Sequence, residues 1–122
     1  MKITNIHVDA HGHSYFGTSE LPQTGSERRI SAKPQDVDFW QMSKTLPGHY
    51  VDFSPVPEVR FVAILSGRQE LTVSNGEKRY FSRGDMYLLQ DTRGQGHCTR
   101  VLGLEPCAAL IIAMPGNGEF KS

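Results

Sequence analysis

Val59-Arg60-Phe61-Val62-Ala63-Ile64-Leu65-Ser66-Gly67, followed by Ser74-Asn75-Gly76-Glu77 and Tyr80-Phe81-Ser82-Arg83-Gly84-Asp85, decides the reading of the fold. A short apolar, β-branched run that ends on glycine is too brief for a helix and suits a buried strand. Asn75-Gly76 supplies the two positive φ angles of a tight hairpin, and Ser82 to Asp85 is a second turn. The same texture recurs outward from this stretch. Val37–Thr45, His49–Phe53, Val59–Leu65, Glu70–Val73, Arg79–Phe81, Met86–Gln90, Cys98–Leu102 and Ala108–Met114 all read as strands divided by turn signals such as Pro47-Gly48. Short strands at that spacing predict an all-β sandwich or barrel. No window carries an apolar face at helical spacing, so almost no helix is expected.

Ahead of Val37 the chain is looser. Leu21 to Asp36 is rich in Pro, Ser, Thr, Gly and charge and reads as loop, with one short strand around Arg29 to Ser31. Ile3 to Val8 is a further strand whose unpaired edge would invite a second copy of the chain, so a homodimer is expected. The 122 residues fit one domain, long enough to enclose a core without a disulfide or structural metal.

Thirteen basic residues balance thirteen acidic ones, which leaves no global attraction for a phosphate backbone or an anionic bilayer. Neither nucleic acid nor membrane is an expected partner. The longest apolar run, Ala108 to Met114, is far shorter than the roughly 20 residues of a bilayer span. The N-terminal residues lack the apolar core of a secretory signal, and a cytoplasmic location is expected. Cys98 and Cys107 lack the spacing of a zinc knuckle or a redox motif and read as reduced thiols packed in strands. Phosphate-binding loops, nucleophile elbows and kinase signatures have no match in the sequence.

The opening stretch, continued by Leu88-Leu89-Gln90-Asp91-Thr92-Arg93-Gly94-Gln95-Gly96-His97, resembles the two motifs of the cupin superfamily, and Gly12-His13-Ser14-Tyr15-Phe16 is similar to the start of small bacterial single-domain cupins. The resemblance covers about Pro47 to Leu102. It implies a jelly-roll β-barrel over 37–114, preceded by an N-terminal strand and loop arm over 1–36 and followed by a flexible tail over 115–122. Family members usually hold one divalent metal on two His and one Glu from the first motif and one His from the second. Here the Glu position, six before Gly67, is Arg60, and the two His positions fall at Ser54 and Val56, or at Phe53 and Pro55. Only His97 of the second motif remains, the family proline is Gln90, and the run to the His is two residues longer. A guanidinium has no lone pair to give, so no metal or other cofactor is expected.

What this implies is a barrel interior lined by Arg60 and His97. A cationic fork in a half-closed pocket suits a carboxylate, an enolate or a phosphate, unless Asp52, Glu58 or Glu70 neutralises it. An imidazole exchanges protons near neutral pH, so His97 is a candidate general base or acid, with Asp91 the nearest acid to orient it. Asp91-Thr92-Arg93-Gly94 itself reads as a turn in which Asp91 bonds the backbone two residues on. Tyr50 and Tyr87 are candidates for a partner acid, and Ser54, Gln90, Tyr87 and Trp40 for ligand contacts. His11-x-His13 reads as a solvated strand or loop, and His49 as a residue near the cavity mouth. The expected function is metal-independent binding of a small anionic or carbonyl-containing molecule, with His97 moving a proton in an isomerase, cyclase or lyase. A non-catalytic sensing or storage module is the second expectation. A metal-dependent oxygenase or isomerase, its site rebuilt from His49 and His97, is the third.

Overall fold

Twelve strands, and no helix among the described residues, follow from these short apolar runs in a computed structural model that describes residues 1–116 and 119–122. The strands are β1 (Lys2–Val8), β2 (Ser14–Glu20), β3 (Gln23–Gly25), β4 (Ile30–Ala32), β5 (Phe39–Thr45) and β6 (Tyr50–Ser54), then β7 (Arg60–Ser66), β8 (Arg68–Thr72), β9 (Lys78–Ser82), β10 (Met86–Leu89), β11 (His97–Leu102) and β12 (Cys107–Ala113). Six form one sheet in the order β2-β1-β10-β7-β12-β5, and four form another in the order β6-β11-β8-β9. The ribbon β3-β4 stands apart.

Alternation along each strand decides what is buried. From the large sheet, Ile6, Val62, Ile64, Tyr87, Leu89, Cys107 and Ala109 meet Leu71, Phe81 and Val101 of the small sheet in one core. Leu71 and Val73 are fully buried and Ile64 is 2% exposed. Each such side chain contributes about 1.5–3 kcal/mol relative to an exposed one. The opposite face of the large sheet carries a second cluster, Ile3, Val59, Leu88 and Met114, covered by Leu21 and Phe120.

Gly67 links the sheets. It has φ +78°, and a Cβ there would lie 2.5 Å from the Pro106 carbonyl oxygen, so only glycine lets β7 turn into β8.

Several expectations need correction. Neither sheet closes into a barrel: β5 pairs only with β12, and β6 only with β11. The Ile3–Val8 segment is not an exposed edge, because β1 is paired on both sides, antiparallel to β2 and parallel to β10. Residues 1–36 therefore contribute two strands to the main sheet. Within the flexible tail expected over 115–122, residues 117 and 118 lie outside those described. Phe120 packs on the second cluster, and the Lys121 backbone exchanges hydrogen bonds of 2.7 and 2.9 Å with the Gln35 side chain. Both cysteines are free and buried.

Candidate functional site

Between β10 and β11 the chain passes from Leu89 through Asp91 to His97 in a loop tied down on every side. The Val56 amide donates to the Asp91 carbonyl at 3.1 Å, and the Gln95 amide to the Gly12 carbonyl at 2.9 Å. Arg93 donates to the Asp9 carbonyl at 2.8 Å. Ser14, 2% exposed, donates from its hydroxyl to the Gly96 carbonyl at 2.6 Å and accepts from the Ser74 amide at 3.0 Å. Gly96 presses on the carbonyl of Ser54: with φ +75°, a Cβ there would stand 2.0 Å from it.

What this clamping places is an acid and a base. Asp91 is fully buried, His97 is 7% exposed, and His97 Nδ1 lies 2.6 Å from Asp91 Oδ2. A carboxylate accepts and cannot donate, so Nδ1 faces it with the hydrogen and Nε2 is the ring nitrogen left for another partner. The other carboxylate oxygen, Oδ1, is buried without a protein partner among the described residues. Buried polar atoms are rarely left so, and this one has accepting capacity to spare. The side chain does not close the turn expected of Asp91: Oδ2 is on the imidazole and Oδ1 meets no backbone amide among the described residues.

Arg60 lies on the face of β7 that also carries Val62 and Ile64, the core-facing side. Its Nε and Nη2 approach Glu58 Oε1 at 2.8 and 2.7 Å, and both side chains are 25% exposed. The guanidinium is therefore already neutralised by one of the three carboxylates that could reach it. Tyr87 is core-facing and buried, donating to Gln69 Oε1 at 2.6 Å and packed against Phe81 at 4.7 Å. Burial pushes its phenol far above the usual range. Ser54 faces His97 across the β6–β11 pairing but is exposed, its hydroxyl near the Pro55 carbonyl at 3.3 Å.

Three expected site residues point elsewhere. Tyr50 pairs with Arg100, whose guanidinium sits 4.9 Å from its ring centre, on the side of the small sheet away from the core. Its hydroxyl lies 3.4 Å from Cys98 Sγ and 3.2 Å from Asp52 Oδ1. Trp40 pairs with Ile112, beside the second cluster, and is 67% exposed. Gln90 belongs to a polar group on that same outer side, accepting from Asn5 Nδ2 at 3.0 Å and from Ser19 Oγ at 3.1 Å. Strand parity explains Gln90, which stands one residue out of phase with core-facing Leu89.

The histidines do not gather. The His49 carbonyl accepts from the Val101 amide, four positions along β11 from His97, or roughly 13 Å at a strand's rise. That separation gives no support to a metal site shared by His49 and His97. The His11 and His13 amides both donate to Asp9 Oδ1, which makes this pair a capped turn between β1 and β2. Among the described residues no three or more His, Cys, Asp or Glu side chains stand in metal-holding array. The donors at the resemblance's metal position, one imidazole and its carboxylate beside an arginine salt bridge, do not fit a divalent ion.

Sequence reasoning missed Ser14, Gln69 and Asn5. Their only signal was a polar residue inside an apolar alternation, which marks a site only when its partner strand is known.

The chain matches no known protein family and no curated protein. Among solved structures it is similar to the conserved SPY1581 protein of unknown function from Streptococcus pyogenes, at 18% identity and a TM-score of 0.46, over 63% of this chain and 64% of that one. The chain thus spans less than two thirds of that protein. It is also similar to protein NMB1881 from Neisseria meningitidis, at 11% identity and a TM-score of 0.45, over 91% of this chain and 81% of that one.

Proposed function

We propose that this chain is an open jelly roll of cupin type whose interior receives a small carbonyl-bearing molecule, and that His97, held by Asp91, moves a proton on it. The buried 2.6 Å contact between His97 Nδ1 and Asp91 Oδ2 carries this reading. An imidazole fixed in one tautomer by a carboxylate presents a basic Nε2, the arrangement that general-base catalysis requires. In the proposed step Nε2 takes a proton from the carbon beside the carbonyl, the electron pair moves onto oxygen as an enolate, and the proton returns to that same carbon as the carbonyl re-forms. The Arg60–Glu58 pair supports a neutral carbonyl guest over a free carboxylate, since the pair has no net charge to offer.

The test is exchange of carbon-bound hydrogen. The protein is incubated in D2O with a panel of small aldehydes and ketones, and loss of the α C–H signal is followed by NMR. The wild type should accelerate exchange for at least one compound, and His97→Asn, with an unchanged circular dichroism spectrum, should lower that acceleration by about 10²-fold or more. Equal exchange by His97→Asn, or none by the wild type, would overturn catalysis.

A second reading, a binding module without turnover, is favoured by the low exposure of His97. It predicts ligand-dependent shifts of the interior amides with no exchange.

A further inference from the structure

At the end of β11 remote from His97 lies a groove of about 430 Å³, lined by Ser66, Gly67, Arg68, Ser82, Arg83 and Leu102 to Glu105. Arg68 opens β8 and pairs with Leu102, the last residue of β11, whereas His97 is its first. Five strand steps put the groove roughly 16 Å from the imidazole. It is therefore a separate place, independent of the proton-transfer reading.

Two arginines, Arg68 and Arg83, line it. Arg68 pairs across β8–β9 with Ser82, the neighbour of Arg83 in the following turn. The Arg68 guanidinium lies 5.2 Å from the Tyr80 ring centre, which limits its freedom and orients its planar fork. Among the described residues neither arginine is ion-paired, although Arg60, Arg79 and Arg100 each have a carboxylate within 4 Å. Even Glu105, on the same rim, is outside ion-pair reach of both among those residues. Two unneutralised guanidiniums, with Ser66 also on the lining and the Ser82 hydroxyl turned to Asp85 Oδ2 at 3.5 Å, match the oxygens of a phosphate, which arginine grips through two parallel hydrogen bonds. Leu102 lines the same groove and Leu104 is wholly exposed at its rim, a surface that costs free energy in water unless an apolar group covers it.

We infer that this groove binds the phosphate group of a small organic phosphomonoester, with Arg68 and Arg83 on the phosphate and Leu102 and Leu104 against the organic part.

The test uses the full ¹⁵N-labelled chain titrated with phenyl phosphate, and separately with sodium phosphate, at constant ionic strength. Phenyl phosphate should shift the amides of Gly67, Arg68, Arg83 and Gly103 along a saturating curve, with inorganic phosphate weaker at the same amides. Arg68→Gln/Arg83→Gln should weaken phenyl phosphate at least ten-fold, Arg83→Gln alone should weaken it by a smaller factor, and His97→Asn should leave it unchanged. Both arginines are on the surface, so an unperturbed spectrum away from the groove reports an intact fold. Shifts that do not saturate, shifts centred elsewhere, or equal affinity in the double variant would overturn the assignment.

Discussion

Gly96 shows how a single residue fixes the candidate site. Its backbone has φ +75° and touches the Ser54 carbonyl, so a methyl group meets both a left-handed conformation and a steric overlap. Gly96→Ala should lower stability by about 2–4 kcal/mol, a fall in Tm of roughly 6–15 °C in a thermal melt. Gly76 is the contrast, since at φ +87° its Cβ would meet nothing within 4 Å. Gly76→Ala should cost only about 1 kcal/mol. Equal losses would show that the loop ahead of His97 is not clamped as described. Tyr50 offers a second residue-scale prediction. The hydrogen bond to Cys98, then burial and the bond to Asp52, push its phenol up to about 12. The folded state thus keeps a proton that the unfolded chain loses near pH 10, and stability falls as pH rises through that window. Ultraviolet titration of Cys98→Ala should move one tyrosine back toward 10, and an unmoved titration would dissolve the pairing.

Among the elements, the outer side of β1, β2 and β10 carries a test of its own. Asn5, Ser19 and Gln90 share hydrogen bonds there, Asn5 Nδ2 also meets His7 Nε2, and His7 stacks on Tyr15 at 5.5 Å. Burial holds His7 below the ordinary imidazole value. Its stabilising share is present above about pH 6.5 and is lost as pH falls from there to the folded value, because the unfolded chain binds the proton first. His7→Phe keeps the ring stack and should flatten Tm against pH between 7.5 and 5.5. An unchanged slope would place that dependence elsewhere. The strands from Val37 to Met114 were legible because apolar alternation and turn dipeptides are local signals. β2 was not, because Ser14-Tyr15-Phe16-Gly17-Thr18-Ser19-Glu20 has little apolar periodicity, and its glycine makes sense only opposite Asn5. Of the candidate site, the nearness of Asp91 to His97 was legible, and the direction of Tyr50, Trp40 and Gln90 was not. Between Val51 and Ser54, β6 has two residues where β11 has only Cys98, and this bulge breaks the face count that would have turned Tyr50 inward.

For the whole molecule, the relevant contrast is between its two faces. The inner face carries the buried apolar cluster, whereas the outer face of the large sheet leaves Trp40 67%, Met42 55% and Met86 52% exposed toward the β5 side and the β10 end. Trp40 is the sole tryptophan of the sequence, so its fluorescence reports that surface alone. Acrylamide should quench it freely, and Trp40→Ser should change stability by no more than about 0.5 kcal/mol. A shielded tryptophan would mean that the face is covered. No helix among the described residues is long and apolar enough to cross a membrane. The groove at Arg68 and Arg83 lies by the Leu102 end of β11 and the Asp91–His97 pair by its His97 end, so the two can be varied independently.

The central claim is that Asp91 fixes the imidazole of His97 with its Nε2 free to accept a proton. Nitrogen-15 NMR of ring-labelled histidine at pH 8 reads this directly: the account predicts His97 protonated at Nδ1, and a loss of that preference in Asp91→Asn. His97 protonated at Nε2, or a spectrum indifferent to the loss of the carboxylate, would contradict it.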